Sequence, residues 1–201
     1  YVETCPQYLL MDESLYHLPD FEGEKYVIAP PLRTKEDQKA LWDALASGEI
    51  QTVSTDHCSF TTEQKKLGEH DFTKIPGGMP GVETRGVLLY TYGVEKGRIS
   101  LEQMCQVLSE NPAKLYGLYP QKGCIEVGSD ADLVLLRSGV KDTITADDQL
   151  QNVDYAPFEG TEVTGRIETV FLRGQKVVEN HQLIKENQGK FIKRKRNMLL
   201  N

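Results

Sequence analysis

The sequence predicts an α/β fold, because a helical pattern leads directly into a strand pattern and a long polar loop follows the strand. Residues 34–47 begin with a cap-like pair, Thr34 and Asp37, carry an apolar stripe, and end at Gly48. Residues 50–56 then have the pattern of a strand. This order is typical of an α/β unit, and α/β barrels keep their active sites at the carboxyl ends of their strands.

The neighbouring segments continue the α/β pattern. Short strands are predicted at residues 1–4 and 26–29, the second of them ended by a Pro-Pro pair. Helices are predicted at residues 82–92, at residues 100–110 behind a capping box, and at residues 113–116 behind Asn111-Pro112.

Beyond Gly117 the pattern changes to short strands, at residues 123–128, 131–136, 167–172 and 175–179. Five basic residues between positions 190 and 196 then indicate a tail. We therefore expect three parts: an α/β part over residues 1–117, a small β module over residues 118–184 and a basic tail over residues 185–201.

Composition limits the possible partners. The chain has 201 residues, and 39% of them are hydrophobic, which is enough for a core. A net charge of −7 argues against broad binding to nucleic acid or anionic membranes. No apolar run is long enough for a membrane span and no leader pattern is present, so a cytoplasmic protein is expected. Four scattered cysteines without a C-x-x-C pair predict reduced thiols.

The predicted strand at residues 50–56 ends in three chemically active side chains, Asp56, His57 and Cys58. Asp56 could bind a metal ion and exchange a proton with metal-bound water, or it could equally cap a helix or pin a loop. His57 should point to the opposite face, where it would either bond to the backbone or support a residue of the site from behind. Cys58 has no Cys/His/Asn set to support thiol catalysis, so packing is expected.

Residues 75–81, Ile-Pro-Gly-Gly-Met-Pro-Gly, form a glycine-rich stretch that lets a ligand approach the main chain. The glycine spacing matches neither common nucleotide-binding pattern. Nucleotide binding is therefore not predicted.

Six motifs in order resemble the C-terminal part of the dihydropyrimidinase/D-hydantoinase family. They are Glu3-Thr-Cys-Pro-Gln-Tyr-Leu9, Ala29-Pro-Pro-Leu-Arg33, Thr55-Asp-His-Cys-Ser-Phe60, Asp71-Phe-Thr-Lys-Ile-Pro76, Gly81-Val-Glu83 and Asn111-Pro-Ala-Lys114. A later segment, Gly128-Ser-Asp-Ala-Asp-Leu-Val134, resembles the closing β segment of the wider amidohydrolase superfamily.

The resemblance implies the C-terminal part of a TIM-type (β/α)8 barrel, followed by a small β-sandwich segment. It also implies two divalent metal ions, usually zinc, and a small cyclic amide or imide as substrate. Of the family's metal ligands only the aspartate has a counterpart here, Asp56. By the same resemblance Asp56 is the catalytic residue, which takes a proton from metal-activated water and passes it to the departing ring nitrogen.

Substrate binding in the family uses main-chain groups at a serine before Pro-Pro and at an asparagine after Ile-Pro. The matching positions here are Ala29 and Gly77, where main-chain contacts survive the change of side chain. The complete enzyme is expected to be a dimer or tetramer, and the chain alone is expected to be inactive. The competing interpretation is a non-catalytic scaffold or oligomerisation module related to dihydropyrimidinases, although relatives of that kind lack the aspartate.

Overall fold

The structure, a computed structural model, describes residues 1–198. They pack as two compact units, the first formed by residues 1–89 and 143–162 and the second by residues 90–142 and 163 onward. The boundaries of these two units differ from the domain boundaries expected after residues 117 and 184. The expected domains stay a prediction.

The first unit contains a parallel pair of short strands, β1 (Glu3–Thr4) and β2 (Thr52–Val53). Glu3 lies opposite Thr52 and Thr4 opposite Val53, so the carboxyl ends of both strands lie at the same edge. This pairing agrees with the predicted α/β class. The barrel and the β-sandwich stay a prediction, because the described residues form only small sheets.

The prediction of one strand over residues 50–56 is wrong in its length, since β2 ends at Val53. Thr52 and Val53 are both buried, so the strand is covered on both sides, as is typical of parallel sheets. Asp56 then adopts a left-handed backbone conformation with φ of 47°, which ends any extended run.

Four helices belong to the first unit: α1 (Pro6–Leu10), α2 (Lys35–Ser47), α3 (Thr62–Lys65) and α4 (Arg85–Leu89). Short 3-10 helices lie between these α-helices, at Glu13–His17, Glu22–Tyr26, Lys66–Gly68 and Phe72–Lys74. The prediction for α2 is confirmed in detail. Thr34 and Asp37 form a reciprocal capping box, and Gly48 closes the helix with φ of 85°.

The strand predicted at residues 26–29 is wrong. Tyr26 ends a 3-10 helix, and the next residues pair with no strand in the described part of the chain. The carbonyl of Val27 instead accepts the amide of Gly78 at 3.0 Å and the ammonium of Lys65 at 3.0 Å. These two bonds satisfy the carbonyl without a sheet partner.

The segment of residues 143–162 returns to the first unit and fastens its loops. The carboxylate of Asp154 accepts the amide of Thr62 at 2.9 Å, at the start of α3. The carboxylate of Glu83 accepts the amides of Leu150 and Gln151 at 3.0 and 2.8 Å. The segment therefore holds residues near 62 and 83 in place.

The second unit begins with helical chain and ends in a sheet. A π-helical segment, Tyr90–Val94, is followed by α5 (Leu101–Cys105), a second π-helical segment, Gln106–Glu110, and α6 (Asn111–Leu115). The capping box predicted from Ser100 and Gln103 is confirmed at the start of α5.

The sheet of the second unit contains β3 (Leu133–Thr143), β4 (Glu162–Leu172), β5 (Gln175–Glu179) and β6 (Gln182–Leu183) in that order. β5 is antiparallel to both its neighbours. The strand predicted at residues 123–128 is wrong, because this segment is irregular and Gly123 and Gly128 have φ of 89° and 99°. Left-handed backbone at both ends interrupts an extended run.

The predicted basic tail has no regular secondary structure between residues 184 and 198. Its backbone is nonetheless fastened to the end of α6, since the amide of Lys195 donates to the carbonyl of Gly117 at 2.8 Å. Residues 199–201 of the tail lie outside the described residues. Among the described helices, none combines the length and the apolar composition that crossing a membrane requires.

Candidate active site

Three segments of the first unit come together beyond the carboxyl ends of β1 and β2: residues 27–30, 56–58 and 76–82. The amide of Cys58 donates to the carbonyl of Met79 at 3.1 Å, and the amide of Gly78 donates to the carbonyl of Val27 at 3.0 Å. Residues 76–82 are therefore bonded to the other two segments. We call these the three site segments.

Asp56 lies in the middle site segment, three residues after β2, and its side chain is exposed. Among residues 1–198 no group donates a hydrogen bond to its carboxylate. Asp12, Asp37 and Asp71 are different, because the carboxylate of each accepts a main-chain amide close in sequence. The donors are the amides of Ser14, Thr34 and Thr73, respectively. The capping role that the sequence left open for Asp56 is thus not observed, and its oxygens are free to take a ligand or a proton.

The surroundings of Asp56 keep two nearby acidic groups protonated. Burial, with a smaller contribution from the charge of Asp56, raises the pKa of the Cys5 thiol to about 11. Burial and the same charge raise the pKa of Tyr8 to about 12. The Tyr8 hydroxyl donates to the carbonyl of Pro30 at 2.9 Å. At neutral pH Cys5 is therefore a poor nucleophile, and Tyr8 positions the first site segment.

His57 bonds to the backbone, as predicted. Its Nδ1 accepts the amides of Gly81 at 3.1 Å and Val82 at 3.3 Å, which places the ring proton on Nε2. The imidazole thereby fastens the end of the third site segment to the middle site segment, at the residue that follows Asp56.

Cys58 is exposed, which does not fit the packing role expected for its side chain. Its main chain lies so close to Gly78 that a Cβ there would stand 2.4 Å from the Cys58 carbonyl oxygen. Only glycine permits this approach. None of the four cysteines forms a disulfide in the structure, and their reduced state in the protein stays a prediction.

Ala29 and Gly77 lie on the first and third site segments, and both are exposed. In the part of the chain that the structure describes, no hydrogen bond to the main-chain groups of either residue is recorded. An added Cβ at Gly77 would meet no atom within 4 Å. The polar backbone at both positions is therefore open to a ligand.

Lys65 is the residue of this region that the sequence does not reveal. It ends α3 and is fully buried, with 0% of its surface exposed. Its ammonium donates to the carbonyl of Val27 at 3.0 Å and to that of Pro76 at 2.8 Å. Burial lowers the pKa of Lys65 to about 8, although the charge of Glu24 acts in the opposite direction. A lysine between Gln64 and Lys66 has no local pattern that predicts burial.

The resemblance implies a metal centre to which this chain contributes Asp56. Among residues 1–198 no group of three or more His, Cys, Asp or Glu side chains is arranged to hold a metal ion. Asp56 is suited to be one ligand, because its oxygens are exposed and unpaired.

Comparison with known proteins identifies the family. The model of the amidohydrolase family matches residues 13–177. A D-hydantoinase from Geobacillus stearothermophilus is 50% identical over 96% of this chain and 41% of its own length. The crystal structure of the dihydropyrimidinase from Brevibacillus agri is 52% identical with a TM-score of 0.90, over 92% of this chain and 40% of that one.

An L-hydantoinase (dihydropyrimidinase) from Arthrobacter aurescens is more distant, with 38% identity and a TM-score of 0.83 over 92% of this chain and 40% of that one. The chain thus spans about two fifths of the length of the relatives it matches, 41% for the Geobacillus protein. The resemblance to the dihydropyrimidinase/D-hydantoinase group is confirmed, and the chain belongs to the amidohydrolase family.

Proposed function

We propose that the chain is the C-terminal part of a cyclic amidohydrolase that hydrolyses the ring amide bond of hydantoins or dihydropyrimidines. The names of its relatives, D-hydantoinase and dihydropyrimidinase, support this activity. The observation that carries it is the exposed, unpaired carboxylate of Asp56 on a segment bonded to the one that holds Gly77.

In the proposed chemistry, Ala29 and Gly77 bind the ring amide and Asp56 transfers the proton. A cyclic amide presents an N–H donor and a C=O acceptor, which the free backbone groups of Ala29 and Gly77 match. Asp56 accepts a proton from the attacking water and delivers it to the ring nitrogen as the C–N bond breaks. One carboxylate then serves as base and as acid in succession, a role that contributes roughly 10²- to 10⁴-fold to a rate.

Several finer features of the complete enzyme belong to the same proposal. They are two divalent metal ions, zinc in the first instance, with Asp56 as one ligand; assembly into a dimer or tetramer; a cytoplasmic location; and the barrel, β-sandwich and tail over residues 1–117, 118–184 and 185–201. The metals would supply activation of the water. Metal analysis and sedimentation of the complete protein test the first two.

The decisive experiment measures ring opening of hydantoin and dihydrouracil by the complete protein and by its Asp56→Asn variant. The variant keeps the shape of the side chain but cannot accept a proton, so turnover should fall at least about 10²-fold while the melting temperature is nearly unchanged. Full activity of Asp56→Asn would remove this residue from the mechanism. If the wild-type protein opens neither ring, the non-catalytic scaffold becomes the better interpretation.

A further inference from the structure

A buried lysine connects the two segments that carry the proposed substrate contacts. Lys65 lies outside both, at the end of α3, and its ammonium bonds to the carbonyls of Val27 and Pro76 at 3.0 and 2.8 Å. Val27 precedes Ala29 by two residues, and Pro76 immediately precedes Gly77. One side chain therefore bridges the two backbones close to the exposed positions.

The bridge is strengthened by a direct bond. The carbonyl of Val27 also accepts the amide of Gly78 at 3.0 Å, so the two segments are linked by a main-chain bond beside the ammonium. Charge-assisted bonds are stronger than neutral ones, particularly away from water. The separation between residues 27–29 and 76–78 is thus fixed from inside the protein.

Burial of Lys65 carries a cost that its immediate neighbours only partly offset. The side chain has no exposed surface, and the ring of Phe60 lies 5.8 Å from its nitrogen. The carboxylate of Glu24 is also buried, and in the described residues its Oε2 has no hydrogen-bond partner. A methionine in this place would avoid the desolvation of an ammonium, so packing alone does not account for a lysine.

We propose that Lys65 is a positioning residue. It sets the distance between the main-chain groups of Ala29 and Gly77, and thereby the fit of the cyclic amide between them. This inference rests on the proposed function. Lys65 touches neither the substrate nor Asp56 in this scheme. It acts through the carbonyls that it holds, and the ring size accepted by the site depends on the spacing that results.

The test compares Lys65→Met with Lys66→Met in the complete protein. Methionine has a similar length and no donors, and Lys66 is the exposed neighbour, so the second variant controls for loss of one positive charge. Lys65→Met should raise KM about tenfold or more, with a smaller change in kcat, because the main-chain groups of Ala29 and Gly77 lose their fixed separation. It should also change the ratio of kcat/KM for hydantoin to that for dihydrouracil.

A purely structural role gives a different result. Loss of folded protein lowers the activity toward both rings by the same factor and leaves KM and the ratio unchanged, and that outcome overturns the proposal. If Lys65→Met does not fold, Lys65→Gln takes its place, since its side chain is uncharged and too short to span both carbonyls as the ammonium does. The same KM and ratio criteria then apply.

Amide hydrogen exchange at Gly78 gives a readout that is independent of activity. Exchange should be faster in Lys65→Met and unchanged in Lys66→Met, because the ammonium supports the Val27 carbonyl that protects this amide. Equal exchange in all three proteins overturns the inference. If the wild-type protein opens neither ring, the proposed function fails separately, and the exchange rate alone decides whether Lys65 holds the segments.

Discussion

Nδ1 of His57 accepts the main-chain amide of Gly81 at 3.1 Å, so the residue after the proposed catalytic carboxylate holds the far end of the third site segment. The Val82 amide adds a second bond at 3.3 Å to the same nitrogen. His57→Ala removes this acceptor, and we expect a loss of about 1 kcal/mol in stability with faster exchange of both amides. His57→Asn places an amide oxygen near the position of Nδ1 and should retain slow exchange. Equal exchange rates in the two variants would contradict this role of the imidazole.

Gly78 and Gly77 are adjacent, but substitution should affect them in opposite ways. An alanine Cβ at position 78 would stand 2.4 Å from the carbonyl oxygen of Cys58 and 2.8 Å from its Cβ, and the nearer of these atoms belongs to the backbone, which cannot rotate away. We expect Gly78→Ala to cost about 1–3 kcal/mol, in the range of overpacked interiors.

Gly77→Ala is the matched control for stability. The new Cβ meets no atom within 4 Å, so the melting temperature should stay constant or rise slightly as the unfolded chain loses freedom. Thermal unfolding of the two variants in the complete protein measures the difference. A stable Gly78→Ala would show that the second and third site segments separate easily.

Lys65 predicts a dependence of stability on pH in the alkaline range. Burial lowers its folded pKa to about 8 from an ordinary value of 10.5. Between these values the unfolded chain binds more protons, so stability rises with pH, whereas below pH 8 the full cost of the buried ammonium is present. Relative to Lys65→Met, the wild-type protein should therefore gain up to roughly 3 kcal/mol between pH 8 and 10.5.

Melting temperatures of the complete protein across this range provide the measurement. The melting temperature of the wild type, relative to that of Lys65→Met, should rise steadily with pH. The gap to Lys66→Met should stay constant, since that side chain is exposed. If the difference in melting temperature from the wild type does not change with pH for either variant, burial of Lys65 does not shift its pKa.

The isolated 201-residue chain should not open either ring, even with added zinc. Residues 1–198 contain no cluster of three potential ligands, and one carboxylate binds a metal ion too weakly to hold it in place. Assays of hydantoin and dihydrouracil hydrolysis over a range of zinc concentrations test this expectation. Metal-dependent turnover by the chain alone would refute it.

Local signals made part of the fold predictable. The ends of α2 depend on Thr34, Asp37 and Gly48, which act within a few residues of the helix, and both ends are confirmed. The apolar run at residues 26–29 has the same composition as a strand. Its backbone bonds to Gly78 and Lys65 instead, and such distant partners leave no trace in the local pattern.

The candidate site shows the same limit. Asp56 could be singled out because it follows an apolar run, and His57 because it is next in sequence. The burial of Lys65 arises only when segments around residues 27 and 76 cover the end of α3. A charged residue in a polar stretch is ordinarily exposed, so no rule of composition or spacing identifies it.

The return of residues 143–162 to the first unit also imposes an order on biosynthesis. Thr62 and Glu83 leave the ribosome well before Asp154, Leu150 and Gln151, the partners that fasten them. Until those partners emerge, the loops around the proposed site lack their tethers and remain accessible to chaperones and proteases. The loops around the proposed site therefore gain these tethers only after residues 143–162 have been synthesised.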